Sequence, residues 1–85
     1  MQAKAQQYVT SGPSAFSVEL DAQTNIYAMD QANWSNLQAG RRFRYVDGGR
    51  AVRSPAVVRV PSAGTWWVVV EAIPGRTLNF SISPI

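Results

Sequence analysis

The sequence predicts an all-β domain: a small antiparallel β-sandwich or jelly-roll-like fold of about seven or eight strands, with one short helix near residues 31–39. Three observations carry that prediction. In Thr77-Leu78-Asn79-Phe80-Ser81-Ile82 apolar and polar residues strictly alternate, the period of a strand with one dry face. Short runs rich in Val, Ile, Phe and Trp are separated by Gly- and Pro-bearing turns. Only one segment has helical spacing and caps.

Taken in order, Gln2 to Val9 reads as a polar edge strand whose only large apolar residues are Tyr8 and Val9. Ser11-Gly12-Pro13-Ser14 is a turn. Ala15 to Leu20 is a strand with Phe16, Val18 and Leu20 inward and Ser17 and Glu19 outward, and Asp21 continues that polar face. Thr24 to Met29 is apolar on both faces, which marks a central strand.

Asp30 is placed as a helix N-cap, because its carboxylate can accept from the free N–H groups of the first turn. Trp34 and Leu37 share a helix face, and Gly40 suits the left-handed C′ position. A helix of about two turns is marginal alone, so these two side chains must anchor it.

Arg41 to Val46 follows as a short strand, Asp47-Gly48-Gly49 as a tight turn, and Arg50 to Ser54 as an irregular return before Pro55. Ala56 to Val60, Thr65 to Glu71 and Thr77 to Ile82 complete the strands. No repeat or interdomain linker divides residues 1–85, so a single domain is expected.

Composition narrows the chemistry. The chain has no His and no Cys. Ser-His-Asp and Cys-His machinery, and zinc sites built from imidazole or thiolate, therefore cannot form within one chain. The acids are Glu19, Asp21, Asp30, Asp47 and Glu71. Glu19 and Asp21 share a strand face, which reads either as paired carboxylates or as ordinary solvated polar positions. No Gly-rich phosphate loop links a strand to a helix. No cofactor is expected, and an enzyme relying on Asp30 or Glu71 with an Arg is the remotest reading.

No apolar run approaches the about 20 residues that span a bilayer, and the N-terminal residues lack an apolar signal core. Zero cysteines fit a reducing compartment. The expectation is a cytoplasmic protein that does not enter membranes.

Net charge is +3, and its distribution is uneven. Arg41, Arg42, Arg44, Arg50 and Arg53 lie between residues 41 and 53 with Asp47 as the only acid. Forked guanidiniums match phosphates and carboxylates, and Trp34 or Tyr45 would supply a stacking ring. The competing reading is a soluble charged strand that resists edge pairing. Nucleic acid is the weakest option, given the small net charge and the lack of a reader motif.

Adjacent Trp66 and Trp67 must face opposite sides of a strand. Trp67 with Val69 would then form an outer apolar patch, used for self-association or covered by the helix or a loop. A homo-oligomer follows from the first reading.

The ordered series Asn25-Ile26-Tyr27-Ala28-Met29-Asp30, Asn33-Trp34-Ser35-Asn36, Gly40-Arg41-Arg42-Phe43-Arg44-Tyr45, Gly48-Gly49, Ser54-Pro55, Val60-Pro61-Ser62-Ala63-Gly64, Trp66 and Val68-Val69-Val70-Glu71 resembles the bacterial domain-of-unknown-function family 1883. The resemblance covers most of residues 15–83. It implies a small β-sandwich, found alone or joined to a TIR domain, and through that association a sensing or adaptor role in defence. This chain departs from the family at Pro13-Ser14, where members have Gly-Asp, and at Trp67, where a His often follows the first Trp. The family supplies no catalytic residues. The combined reading is a non-catalytic binding or interaction module. An anion- or nucleotide-binding module and a self-assembling structural subunit are the alternatives.

Overall fold

A computed structural model describes residues 2–85. Seven strands and one helix occur among them: β1 Ala3–Thr10, β2 Ser14–Leu20, β3 Thr24–Asp30, α1 Gln31–Gln38, β4 Asp47–Ala51, β5 Ala56–Val60, β6 Gly64–Glu71 and β7 Phe80–Pro84. They form two antiparallel sheets, ordered β1-β6-β3-β4 and β5-β2-β7. The fold is the expected all-β sandwich, with the helix laid on its outside.

Alternation explains the layers. Phe16 and Val18 of β2, Ile26 and Ala28 of β3, Val58 and Val60 of β5, and Trp66, Val68 and Val70 of β6 fill the space between the sheets. Leu78, Phe80 and Ile82 close it at the margin, as their spacing predicted. The opposite faces of β3 and β6 are apolar as well, through Tyr27, Met29 and Val69, and α1 covers them with Trp34 and Leu37. The inner strands β3 and β6 of the four-stranded sheet are thus buried on both sides, which is why β3 shows no polar face.

The helix ends are well specified. Asp30 accepts from the Asn33 N–H at 2.9 Å, closing the first turn. At the other end Gly40 takes φ +72° and donates to Leu37 O, while Arg41 N–H reaches Asn36 O. This is the Schellman pattern, and its left-handed residue is the glycine that the sequence placed there.

Three expectations are corrected. Arg41 to Val46 is not a strand. Its backbone donors turn to the helix and to β3: Arg41 N to Asn36 O, Arg44 N to Asn33 Oδ1, and Val46 N to Ala28 O. Asp47-Gly48-Gly49 is not a turn but the start of β4, paired with β3. There Gly48 presses so close that a Cβ would collide with the Ile26 carbonyl oxygen. The last strand begins at Phe80 rather than Thr77, because Asp21 captures Asn79 through N and Nδ2 at 3.0 Å each.

Candidate functional site

The helix and the segment after it build a polar concavity on the outer face. Asn33 and Asn36 stand one turn apart on α1. Asn33 is held by Asp30, which accepts from its Nδ2 at 2.9 Å, and its own Oδ1 accepts the Arg44 N–H at 2.7 Å. Asn36 Oδ1 accepts from Arg41 Nε at 3.1 Å. The segment leaving Gly40 is thereby stitched back along the helix. Phe43 fixes it from below, its ring edge-on to Tyr27 at 5.4 Å. Between helix and segment lies a basin of about 720 Å³ lined by Asn33, Asn36, Gly40, Arg41, Arg42, Phe43 and Arg44.

Arg41, Arg42 and Arg44 are all exposed at this basin. Among the described residues no hydrogen bond ties down the guanidinium of Arg42 or Arg44, whereas Arg41 is partly committed to Asn36. At the helix end the Ser35, Asn36 and Leu37 carbonyls accept from the Ala39, Arg41 and Gly40 N–H groups. Asn33 and Asn36 were not singled out from the sequence. Their spacing of three on the helix was the available signal.

The other proposed site residues fall elsewhere. Arg50 is on β4 opposite Asn25, and Arg53 lines a separate cleft with Leu20, Asp21 and Gln23. Trp34 is 8% exposed and stacked on Trp67 with ring centroids 5.3 Å apart, so it is no open platform. Tyr45 is 47% exposed but leans on Tyr27 at 4.7 Å, outside the basin. The outer patch of Trp67 and Val69 is also corrected. Val69 is fully buried beneath the helix layer, and Trp67 is half-covered, its Nε1 donating to Gln31 Oε1 at 2.9 Å.

The acids have visible structural work. Asp47 accepts the Gly48 and Arg59 N–H groups at 2.9 and 2.8 Å, tying β4 to β5. Glu71 Oε2 accepts from Asn25 Nδ2 at 2.6 Å. Asp21 holds Asn79, and Asp30 caps the helix. Glu19 stands exposed on β2. Burial pushes the Tyr27 phenol above its ordinary pKa, and the nearby Glu71 carboxylate and Tyr45 add to this. Among the described residues no three acids cluster as a metal site, and no helix is long and apolar enough to cross a membrane.

Comparison with known proteins gives one match. No curated protein and no solved structure matches the chain. The family described as "Domain of unknown function (DUF1883)" matches residues 9–83. That span takes in β2 to β7, the helix and the arginine basin but only the last two residues of β1, and the chain belongs to this family.

Proposed function

We propose that this domain is a non-catalytic binding module that takes a phosphate- or carboxylate-bearing anion in the basin of Arg41, Arg42 and Arg44. The observation that carries the reading is the placement of three guanidiniums around one concavity by a capped helix and a segment stitched to it. Two of them are left free of internal partners among the described residues. Free forked donors on a fixed scaffold match the planar oxygens of a phosphate or carboxylate. The absence of His and Cys from the sequence, and the structural use of Asp21, Asp30, Asp47 and Glu71, support a binding rather than a chemical role.

The test is a thermal-melt and calorimetric panel at low salt with adenine and nicotinamide nucleotides, cyclic nucleotides and polyphosphate. A ligand at about 100 times its Kd adds roughly 2.7 kcal/mol, a rise of several degrees for a domain of this size. Binding weakens in Arg42→Ala and Arg44→Ala and with added salt, and is unchanged in Arg53→Ala. Equal affinity in the wild type, Arg42→Ala and Arg44→Ala sinks the proposal, as does a panel without any hit.

A further inference from the structure

A sheet has two edges, and a sandwich of two sheets has four. Three are guarded here. β5 is five residues long, lies between Pro55 and Pro61, and gives its Arg59 N–H to the Asp47 carboxylate. β4 is five residues long, carries two glycines, and sits on that same closed side. β7 is five residues long, ends at Pro84, and has its Ile82 carbonyl taken by the Tyr8 hydroxyl of β1 at 3.5 Å. Short strands, prolines and covering neighbours are the usual defences against edge pairing.

β1 has none of these, and its one charged side chain is Lys4. It runs eight residues, Ala3 to Thr10, without proline or glycine, and its register with β6 is unbroken. Ala72 N–H donates to Gln2 O at 2.9 Å, so even-numbered residues of β1 bond to β6. The odd-numbered Ala3, Ala5, Gln7 and Val9 therefore turn their N–H and C=O groups outward. The helix lies over β3 and β6 and does not shield this edge.

We infer that β1 pairs antiparallel with β1 of a second copy of this chain, about a two-fold axis at Gln6, to make one continuous eight-stranded sheet. The strand is complementary to itself in that register. Val9, the most exposed large apolar side chain at 80%, falls opposite Ala3 of the second copy. Ala3, with Trp34 and Leu37, lines a groove of about 390 Å³ between β1 and α1, on the face toward which odd residues point. Val9 of one copy thus covers the groove of the other, twice over. Lys4, the only charge in the strand, meets Tyr8 rather than a like charge. The pairing forms about eight backbone hydrogen bonds. This inference is independent of the anion basin.

The register makes the test specific. Gln7→Pro removes an N–H that faces outward and leaves the β1–β6 ladder intact, a position where an edge strand tolerates proline. The wild type is expected to sediment as a dimer at high concentration, and Gln7→Pro as a folded monomer of unchanged circular dichroism. Because the chain has no cysteine, Gln6→Cys provides an independent readout. The two-fold sets Gln6 against its mate in a non-hydrogen-bonded pair, close enough for a disulfide, and oxidation should link it far faster than Gln23→Cys. A wild-type monomer at the highest attainable concentration overturns the inference. So does a dimer that survives Gln7→Pro, or equal cross-linking of the two cysteine variants.

Discussion

Replacing Trp34 with alanine tests whether the helix layer is held by one side chain. Trp34 is 8% exposed, lies against Trp67, and shares its cluster with Leu37, Met29, Tyr27 and Val69. A buried aromatic removes roughly 150–250 Å² from water, which at about 25 cal/mol/Å² corresponds to ~4–6 kcal/mol as an upper bound. Measured Trp→Ala losses in cores run about 3–5 kcal/mol, so ~4 kcal/mol is the working value. A domain of 85 residues has a total stability of roughly 4–13 kcal/mol. At about 2.1 cal/mol/K per residue, 4 kcal/mol lowers Tm by roughly 20 °C. Local undocking of α1 sets a ceiling, because an eight-residue helix with no packing unravels before the sheets do. The assay is a thermal melt read by far-UV circular dichroism, with Trp67 fluorescence reporting the uncovered ring. Expected are a Tm loss near that size, or a smaller loss accompanied by missing helical signal and a red-shifted Trp67. A Tm within about 5 °C of wild type, with the helical signal kept and no red shift in the emission of the two remaining tryptophans, refutes the claim that Trp34 anchors the layer.

Three further substitutions probe the sheet beneath the helix. Gly48→Ala drives a Cβ into the Ile26 carbonyl and to 2.8 Å from Tyr27 Cα at φ +128°, and should cost about 2 kcal/mol or more in chemical denaturation. Gly49→Ala, also at positive φ but facing open space, should cost less, and equal losses would remove the close-approach argument. Tyr27 has a raised phenol pKa, so folding favours its protonated form. That stability is complete below the usual phenol value of about 10 and is lost as pH rises through the higher folded value. Tyr27→Phe should flatten the alkaline fall in stability, and an unchanged alkaline limb would contradict the assignment.

Strand positions were legible wherever side chains alternated. β2, β3, β5 and β6 follow from Phe16-Val18, Ile26-Ala28, Val58-Val60 and Trp66-Val68-Val70, because the pleat sorts such residues by parity. α1 was legible from its caps, Asp30 and Gly40. β4 was not, since two glycines carry no side-chain period and the same pair reads as a turn. Only backbone proximity to Ile26 reveals why they are there. The arginine cluster was legible as composition but not as geometry. Arg41, Arg42 and Arg44 converge because Asn33 and Asn36 bind the chain that carries them, while Arg50 is carried away on β4 and Arg53 lies past its end in a separate cleft. Trp67 and Val69 left two readings open, an outer interface or cover by the helix, for a related reason. Parity put them on the outer face correctly, yet parity cannot say that a helix eight residues long folds back over that face.

The two surfaces argued above meet in one consequence. The basin lies beyond the helix on the β3–β4 side, and the pairing edge is β1 on the other side. A two-fold axis perpendicular to the sheet keeps both helices on the same face of the paired structure. The strand order then runs β4-β3-β6-β1 and back out through the second copy, placing the two basins about 30 Å apart at ~4.8 Å per strand. Both basins open in the same direction and neither is occluded by the pairing. A single small anion gains nothing from that arrangement. If both proposals hold, a ligand that presents acidic groups repeatedly, such as a polyphosphate chain or an acidic protein surface, would engage both at once, and the second contact would be intramolecular.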